Sequence, residues 1–144
     1  MVGPAVESCS PSPSRGQSHA WIGGLMARVL VVDDDVNIRE FVSLALIGEG
    51  HEVEVASNGA IALDVVQATT PDVILLDMRM PVMDGWQFAS AYRELPGPRA
   101  RVVVMTAARD AARSGSEISA DANLAKPFEL DDLLDLVERL AATA

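Results

Sequence analysis

The chain has 144 residues, 49% of them hydrophobic but only 4% aromatic, and a formal net charge of −10. That length suits one domain whose core is built from Val, Leu, Ile and Ala, and no apolar stretch approaches the roughly 20 residues needed to cross a bilayer. An acidic balance without a basic cluster argues against direct nucleic-acid binding, and the single cysteine, Cys9, excludes an internal disulfide or a cysteine-based metal centre.

Residues 1–25 are rich in Ser, Pro and Gly, with Ser10-Pro11-Ser12-Pro13-Ser14 at their centre. Such a composition buries too little apolar surface to offset ordering entropy, so a disordered extension is expected here. Glu7 and Arg15 cancel, which leaves the whole charge deficit to residues 26–144, the expected domain. Ala20–Ala27 is weakly apolar but contains glycines and follows no basic segment, so it is not read as a signal peptide. The chain is expected in the cytoplasm. Met26, immediately before the first strand, is an alternative start to a genuine N-terminal arm.

From Met26 onward strands and helices alternate. Arg28–Val32 is an apolar strand of the kind covered on both faces. A helix comes next, with Ile38, Phe41, Val42, Ala45 and Leu46 on one face, and Gly48 and Gly50 bracket its end. Glu52–Ala56 alternates polar and apolar residues, the pattern of an edge strand. Asn58 is placed to cap a second helix from Gly59 to about Ala68, and Pro71 stops it. The third strand, Val73–Leu76, closes on Asp77. Asp84 caps a third helix presenting Phe88, Ala89, Tyr92 and Leu95, which Pro96-Gly97-Pro98 terminates. Val102–Met105 forms the fourth strand, closing on Thr106. A fourth, alanine-rich helix is expected at about Arg109–Ile118, then a short strand, Asn123–Ala125, closing on Lys126. Pro127 leads into an amphipathic last helix with Leu130, Leu133, Leu134, Val137 and Leu140.

Five strands interleaved with five helices imply an α/β doubly wound parallel sheet. In the flavodoxin-like order 2-1-3-4-5, the strand order reverses between strands one and three, and ligands bind beyond the carboxyl ends there. Those two strands end on Asp33-Asp34-Asp35 and on Asp77. With Thr106 and Lys126 on the neighbouring strands, the acids, the hydroxyl and the ammonium make a site for Mg²⁺ and a phosphoryl group. Lys126 is the only lysine beside ten arginines, which fits a compact point charge near phosphate.

These motifs resemble the receiver domain of two-component response regulators. The resemblance rests on Val31-Val32-Asp33-Asp34-Asp35, on Leu75-Leu76-Asp77 with Met80-Pro81 and Met83-Asp84-Gly85, on Met105-Thr106-Ala107, and on Lys126-Pro127-Phe128. It spans about Ala27 to Leu140. It implies that Asp77 accepts a phosphoryl group from a phosphohistidine on a sensor histidine kinase or phosphotransfer protein. It further implies Mg²⁺ held by Asp34 and Asp77, with Asp33 assisting and the Arg79 backbone carbonyl as another ligand. Thr106 and Lys126 then contact the phosphoryl oxygens, and movement of Thr106 toward the phosphate shifts the segment Ala107–Ile118. The expected activity is limited to the chain's own phosphorylation and dephosphorylation, so it is not an enzyme acting on separate substrates. Because the chain stops after the last helix, output is expected through a protein target on the face formed by the fourth helix, fifth strand and last helix.

Asp35 and Asp84 are read as helix caps, and Met80, Met83, Trp86 and Phe128 as packing residues. His19 and His51 are expected at the surface. Asn123 departs from the family, which commonly carries a switching aromatic three residues before the lysine. Two other readings compete. A haloacid-dehalogenase-type phosphatase would use Asp33 of Asp33-Asp34-Asp35 as nucleophile, but it leaves Asp77 and Lys126-Pro127 unexplained. A docking module that has lost phosphorylation control is opposed by the full set of acceptor residues.

Overall fold

The computed structural model describes residues 26–107 and 120–142. Five strands, β1 (Arg28–Val32), β2 (Glu52–Ala56), β3 (Val73–Asp77), β4 (Arg101–Ala107) and β5 (Ala122–Lys126), form one parallel sheet. Their order, β2-β1-β3-β4-β5, is the flavodoxin-like order expected. Among the described residues the helices are α1 (Val36–Gly48), α2 (Gly59–Thr69), α3 (Gly85–Glu94) and α4 (Leu130–Ala142). The helix expected at Arg109–Ile118 and the extension expected at residues 1–25 lie outside the described residues. No helix among the described residues is long and apolar enough to cross a membrane.

The uniform apolarity of β1 and β3 reflects burial on both faces. Leu30, Val32, Ile74, Leu76 and Val104 pack with Ala62 and Val66 of α2 and Phe88 and Tyr92 of α3. Their alternating neighbours Val29, Val31, Val73, Leu75, Val103 and Met105 pack with Val42 and Leu46 of α1 and Leu133, Leu136 and Val137 of α4. Each large side chain removed from water this way contributes roughly 1.5–3 kcal/mol. The outcome is a rigid central sheet whose carboxyl ends are fixed in space.

Local chemistry starts the helices at the expected residues. The Asp35 carboxylate accepts from the Asn37 and Ile38 amides, and Asn58 accepts from Ile61. Asp84 and Gln87 each accept from the other's backbone N–H, a capping box. Gly85 is required by close approach, because a Cβ there would lie 2.7 Å from Met78 Cα and 2.8 Å from the Asp77 carbonyl oxygen. The turn after Asp77 therefore folds tightly onto its own strand, and the Gly85 N–H donates to the Met78 carbonyl.

Two expectations need correction. Phe41 does not belong to the buried face of α1 and is 54% exposed. Val42 and Leu46 occupy the sheet-facing positions, and Phe41 sits about 100° around the helix axis from Val42. His51 is not a surface residue but is buried. The Ala27 N–H, itself buried at the start of β1, needs an acceptor, and His51 Nδ1 supplies it at 3.0 Å. An imidazole accepting at Nδ1 is the neutral, Nε2-protonated form.

Burial lowers the His51 pKa from the usual 6.5, with Glu138 and Glu49 opposing the shift. The unfolded chain therefore binds the proton more readily. Stability from this group is complete above pH 6.5 and is lost as pH falls through the lower folded value. Between pH 7.5 and pH 5, the denaturant midpoint is expected to fall further for the wild type than for His51→Asn, whose amide oxygen can still accept from Ala27. Identical pH slopes for the two proteins would rule this out.

Candidate functional site

The parallel register assembles the site. Val31 lies beside Leu75 and Val32 beside Leu76, so the next step beyond β1 brings Asp33 level with Asp77 on the adjacent strand. On the other side Asp77 is level with Met105, one residue before Thr106, and Ala107 is level with Lys126. Strands about 4.8 Å apart thus carry two carboxylates, a hydroxyl and an ammonium to one rim.

Asp33 is fully buried and multiply bonded. Its Oδ1 accepts from the Asp35 amide at 2.9 Å and its Oδ2 accepts from Lys126 Nζ at 3.0 Å. The Arg39 guanidinium donates to its backbone carbonyl at 2.8 Å. Lys126 Nζ also stands 3.5 Å from Asp77 Oδ1, so one ammonium bridges two buried carboxylates. Asp34 is exposed, yet ligand atoms of Asp33, Asp34 and Asp77 all lie within 4.8 Å of one another. Asp35 turns away to cap α1. The structure thus brings Asp33 and Asp34 of the acidic triplet together with Asp77 and gives Asp35 to the helix cap.

A cleft of about 600 Å³ opens over Asp77, lined also by Arg79, Thr106, Lys126, Ile38, Phe41, Pro127 and Phe128. Asp77 and Thr106 are buried beneath it. The Arg79 backbone N–H donates to the Asp77 carboxylate, and the Arg79 guanidinium lies 5.3 Å from the centre of the Trp86 ring. Met80, Met83, Trp86 and Phe128 pack against the two halves of the core, as expected. Asn123 is exposed on β5 and does not line the cleft. Sequence periodicity missed the apolar lip formed by Ile38 and Phe41; Phe41's place on the α1 stripe concealed it.

The electrostatics arise from burial first and from crowding second. Burial raises the Asp77 carboxyl from 3.8 to about 6, and the nearby Asp33 and Asp34 charges add to the effect. Lys126 and the Arg79 N–H pull in the other direction without cancelling it. Burial would lower Lys126, but its hydrogen bond to Asp33 and the Asp77 and Asp33 charges outweigh that and hold the ammonium above its ordinary value. Three oxygen donors of this kind, with an excess of negative charge, suit a hard divalent cation. A cation would offset both the burial and the neighbouring negative charges that raise Asp77.

Comparison with known proteins agrees with this geometry. Residues 29–138 match the family described as the response regulator receiver domain. The chain is 35% identical over 114 residues to sporulation initiation phosphotransferase F of Bacillus subtilis, covering 78% of this chain and 91% of that protein. It is 42% identical over 113 residues to the DNA-binding transcriptional regulator NtrC of Escherichia coli, covering 77% of this chain but only 24% of that longer protein. The solved structure of chemotaxis response regulator CheY4 of Vibrio cholerae superposes with a TM-score of 0.68 at 36% identity. That match covers 80% of this chain and 98% of CheY4.

A carboxyl raised to about 6 in the fold favours the native state below 3.8, and this advantage is lost as pH rises toward 6. The shift corresponds to a cost of up to about 3 kcal/mol at neutral pH. Asp77→Asn is therefore expected to be more stable than the wild type at pH 7.5 without divalent cations, with the gap closing by pH 4. Urea denaturation at both pH values measures it, and a variant less stable at pH 7.5 would contradict the assignment.

Proposed function

Because the chain belongs to the response regulator receiver domain family, we propose that Asp77 is the residue through which it acts as a phosphoacceptor in two-component signalling. Its relatives tie it to sensor histidine kinases or phosphotransfer proteins as phosphodonors. The observation that carries the residue assignment is the bridged carboxylate pair. Asp77 faces an open cleft, with Lys126 Nζ at 3.5 Å and Thr106 in the same wall, while Asp33 beside it is fully buried and held by Lys126 and the Asp35 amide.

In this reading an Asp77 carboxylate oxygen attacks phosphorus of a phosphohistidine. A P–O bond forms, the P–N bond breaks, and the imidazole leaves with the electron pair and takes up a proton. A carboxylate is a poor nucleophile, so rate comes from positioning and from neutralising the charge of the equatorial oxygens. Asp33, Asp34, Asp77 and the Arg79 backbone carbonyl are the residues that would hold Mg²⁺, which supplies two positive charges and replaceable water ligands. Lys126, released from Asp77 as that carboxylate becomes an acyl phosphate, contacts a phosphoryl oxygen, and the Thr106 hydroxyl donates to another. The chain thus acts on its own phosphoryl group and turns over no separate substrate.

Output runs through Thr106. It is the last residue but one of the β4 segment paired with β5, so a shift of its hydroxyl toward phosphate pulls on Ala107, which ends the strand. The target surface comprises β5, α4 and the chain between β4 and β5. With Asn123 at the position of the family's aromatic, the readout works without a ring that turns inward.

Incubation with ³²P-labelled acetyl phosphate and Mg²⁺ tests the assignment. Asp77→Asn is expected to abolish labelling, and Lys126→Arg to slow it by about 10²-fold, the cost of misplacing one charge-stabilising group. Mass spectrometry of the adduct should find the phosphoryl group on Asp77; recovery on Asp33 would favour phosphatase chemistry and end this assignment.

A further inference from the structure

Helix α1 is apolar on both of its faces. Val42 and Leu46 turn inward to the sheet and are fully buried. At about 100° per residue, Leu44 points directly away from them, and it is 71% exposed. Val36, Phe41 and Ile47 are exposed on the same outer side, each within about 80° of Leu44 around the helix axis. Of the seven large hydrophobic side chains exposed among the described residues, four therefore stand on α1, and a fifth, Val55 of β2, borders them. A surface helix keeps its outer face polar, whereas one that is apolar all round is covered on both sides.

Charge and area both say what can cover this face. A groove of about 500 Å³ between α1 and the edge strand β2, lined by Val36, Arg39, Glu40, Ser43, Leu44 and Val55, extends the apolar surface. The charges of α1, Arg39 and Glu40, cancel. Its neighbour in the same layer, α4, carries Asp131, Asp132, Asp135 and Glu138 against Arg139 alone. On a chain with a net charge of −10, two copies meet with least repulsion where the surface is neutral, whereas an acidic face repels its own image. The five exposed side chains present roughly 450 Å² of apolar surface per copy. Homodimer interfaces are about 65% apolar, so a contact of roughly 700 Å² per copy would contain it, just short of the standard size.

We propose that the outer face of α1 is a self-association surface that pairs two copies of this chain about a twofold axis at Leu44. A closed dimer needs a surface that matches itself, and a short apolar stripe with cancelling charges does so. Leu44 of each copy meets Leu44 of the other, with Val36 and Ile47 to either side along the helix. The contact leans toward β2, where Val55 and the groove continue the apolar surface, and away from acidic α4. Residual repulsion between two acidic chains limits the affinity. The dimer is therefore transient and strengthens as salt screens that repulsion, whereas an interface held by ion pairs would weaken.

Sedimentation equilibrium of the full chain should show monomer and dimer with a dissociation constant of about 10–100 µM, as for a small transient interface. Raising NaCl from about 0.05 to 0.5 M should tighten it severalfold. Leu44→Asp sets two carboxylates against each other at the axis and should weaken the dimer at least about tenfold. Because Leu44 is exposed, that variant should keep its melting temperature within about 3 °C. Independently, in a Cys9→Ser background, Leu44→Cys should form an intermolecular disulfide on mild oxidation at least about tenfold faster than Asp135→Cys on α4. Weaker association in high salt, Leu44→Asp associating like the wild type, or cross-linking at Asp135 as fast as at Leu44 overturns the proposal. So does a chain that stays monomeric at about 1 mM, an outcome that gives the face to a different partner.

Discussion

Crowded negative charge is the constraint around which this molecule is organised. Two buried carboxylates on adjacent strands, with a third close by, cannot all ionise cheaply, and the single ammonium of Lys126 is what holds the arrangement together. The compensation is incomplete, since Asp77 still sits well above the ordinary carboxylate range. A site left short of positive charge has affinity for whatever brings more of it, and a hard divalent cation does so with the right oxygen chemistry.

The remainder of the fold supplies the rigidity this arrangement needs. Pairs of like charges hold their spacing only if their backbones cannot relax apart. Here β1 and β3 are clamped between two apolar layers, with nearly every side chain fully buried. The caps at Asp35 and Asp84 start helices close beyond the acidic strand ends, so little slack separates sheet from helix. Stability bound up in the core thus keeps the charged rim in a geometry that its own electrostatics oppose.

Much of this could be read from the residues. Apolar runs that stop abruptly on Asp33, Asp77, Thr106 and Lys126 identify strand ends, and alternation with helices orders them, because burial on two faces leaves a plain compositional trace. What escaped was set by tertiary contact. Periodicity assigned Phe41 to the interior, whereas Val42 and Leu46 take the sheet-facing places and leave it to line the cleft. His51 looked like a surface residue because the Ala27 amide it accepts from is 24 positions away. Val82 carries no local signal at all; a valine is among the last residues composition would place at positive φ.

The solitary lysine has a practical consequence. Apart from the chain's own α-amino group, Lys126 is the one primary amine the sequence contains, and its Nζ is tied between Asp33 and Asp77. A mild acylating reagent therefore has a single internal amine to modify, whose reactivity depends on how tightly that nitrogen is engaged. Modification there would erase the positive charge that holds the acids together. The same atom makes the protein its own occupancy gauge, legible by mass alone.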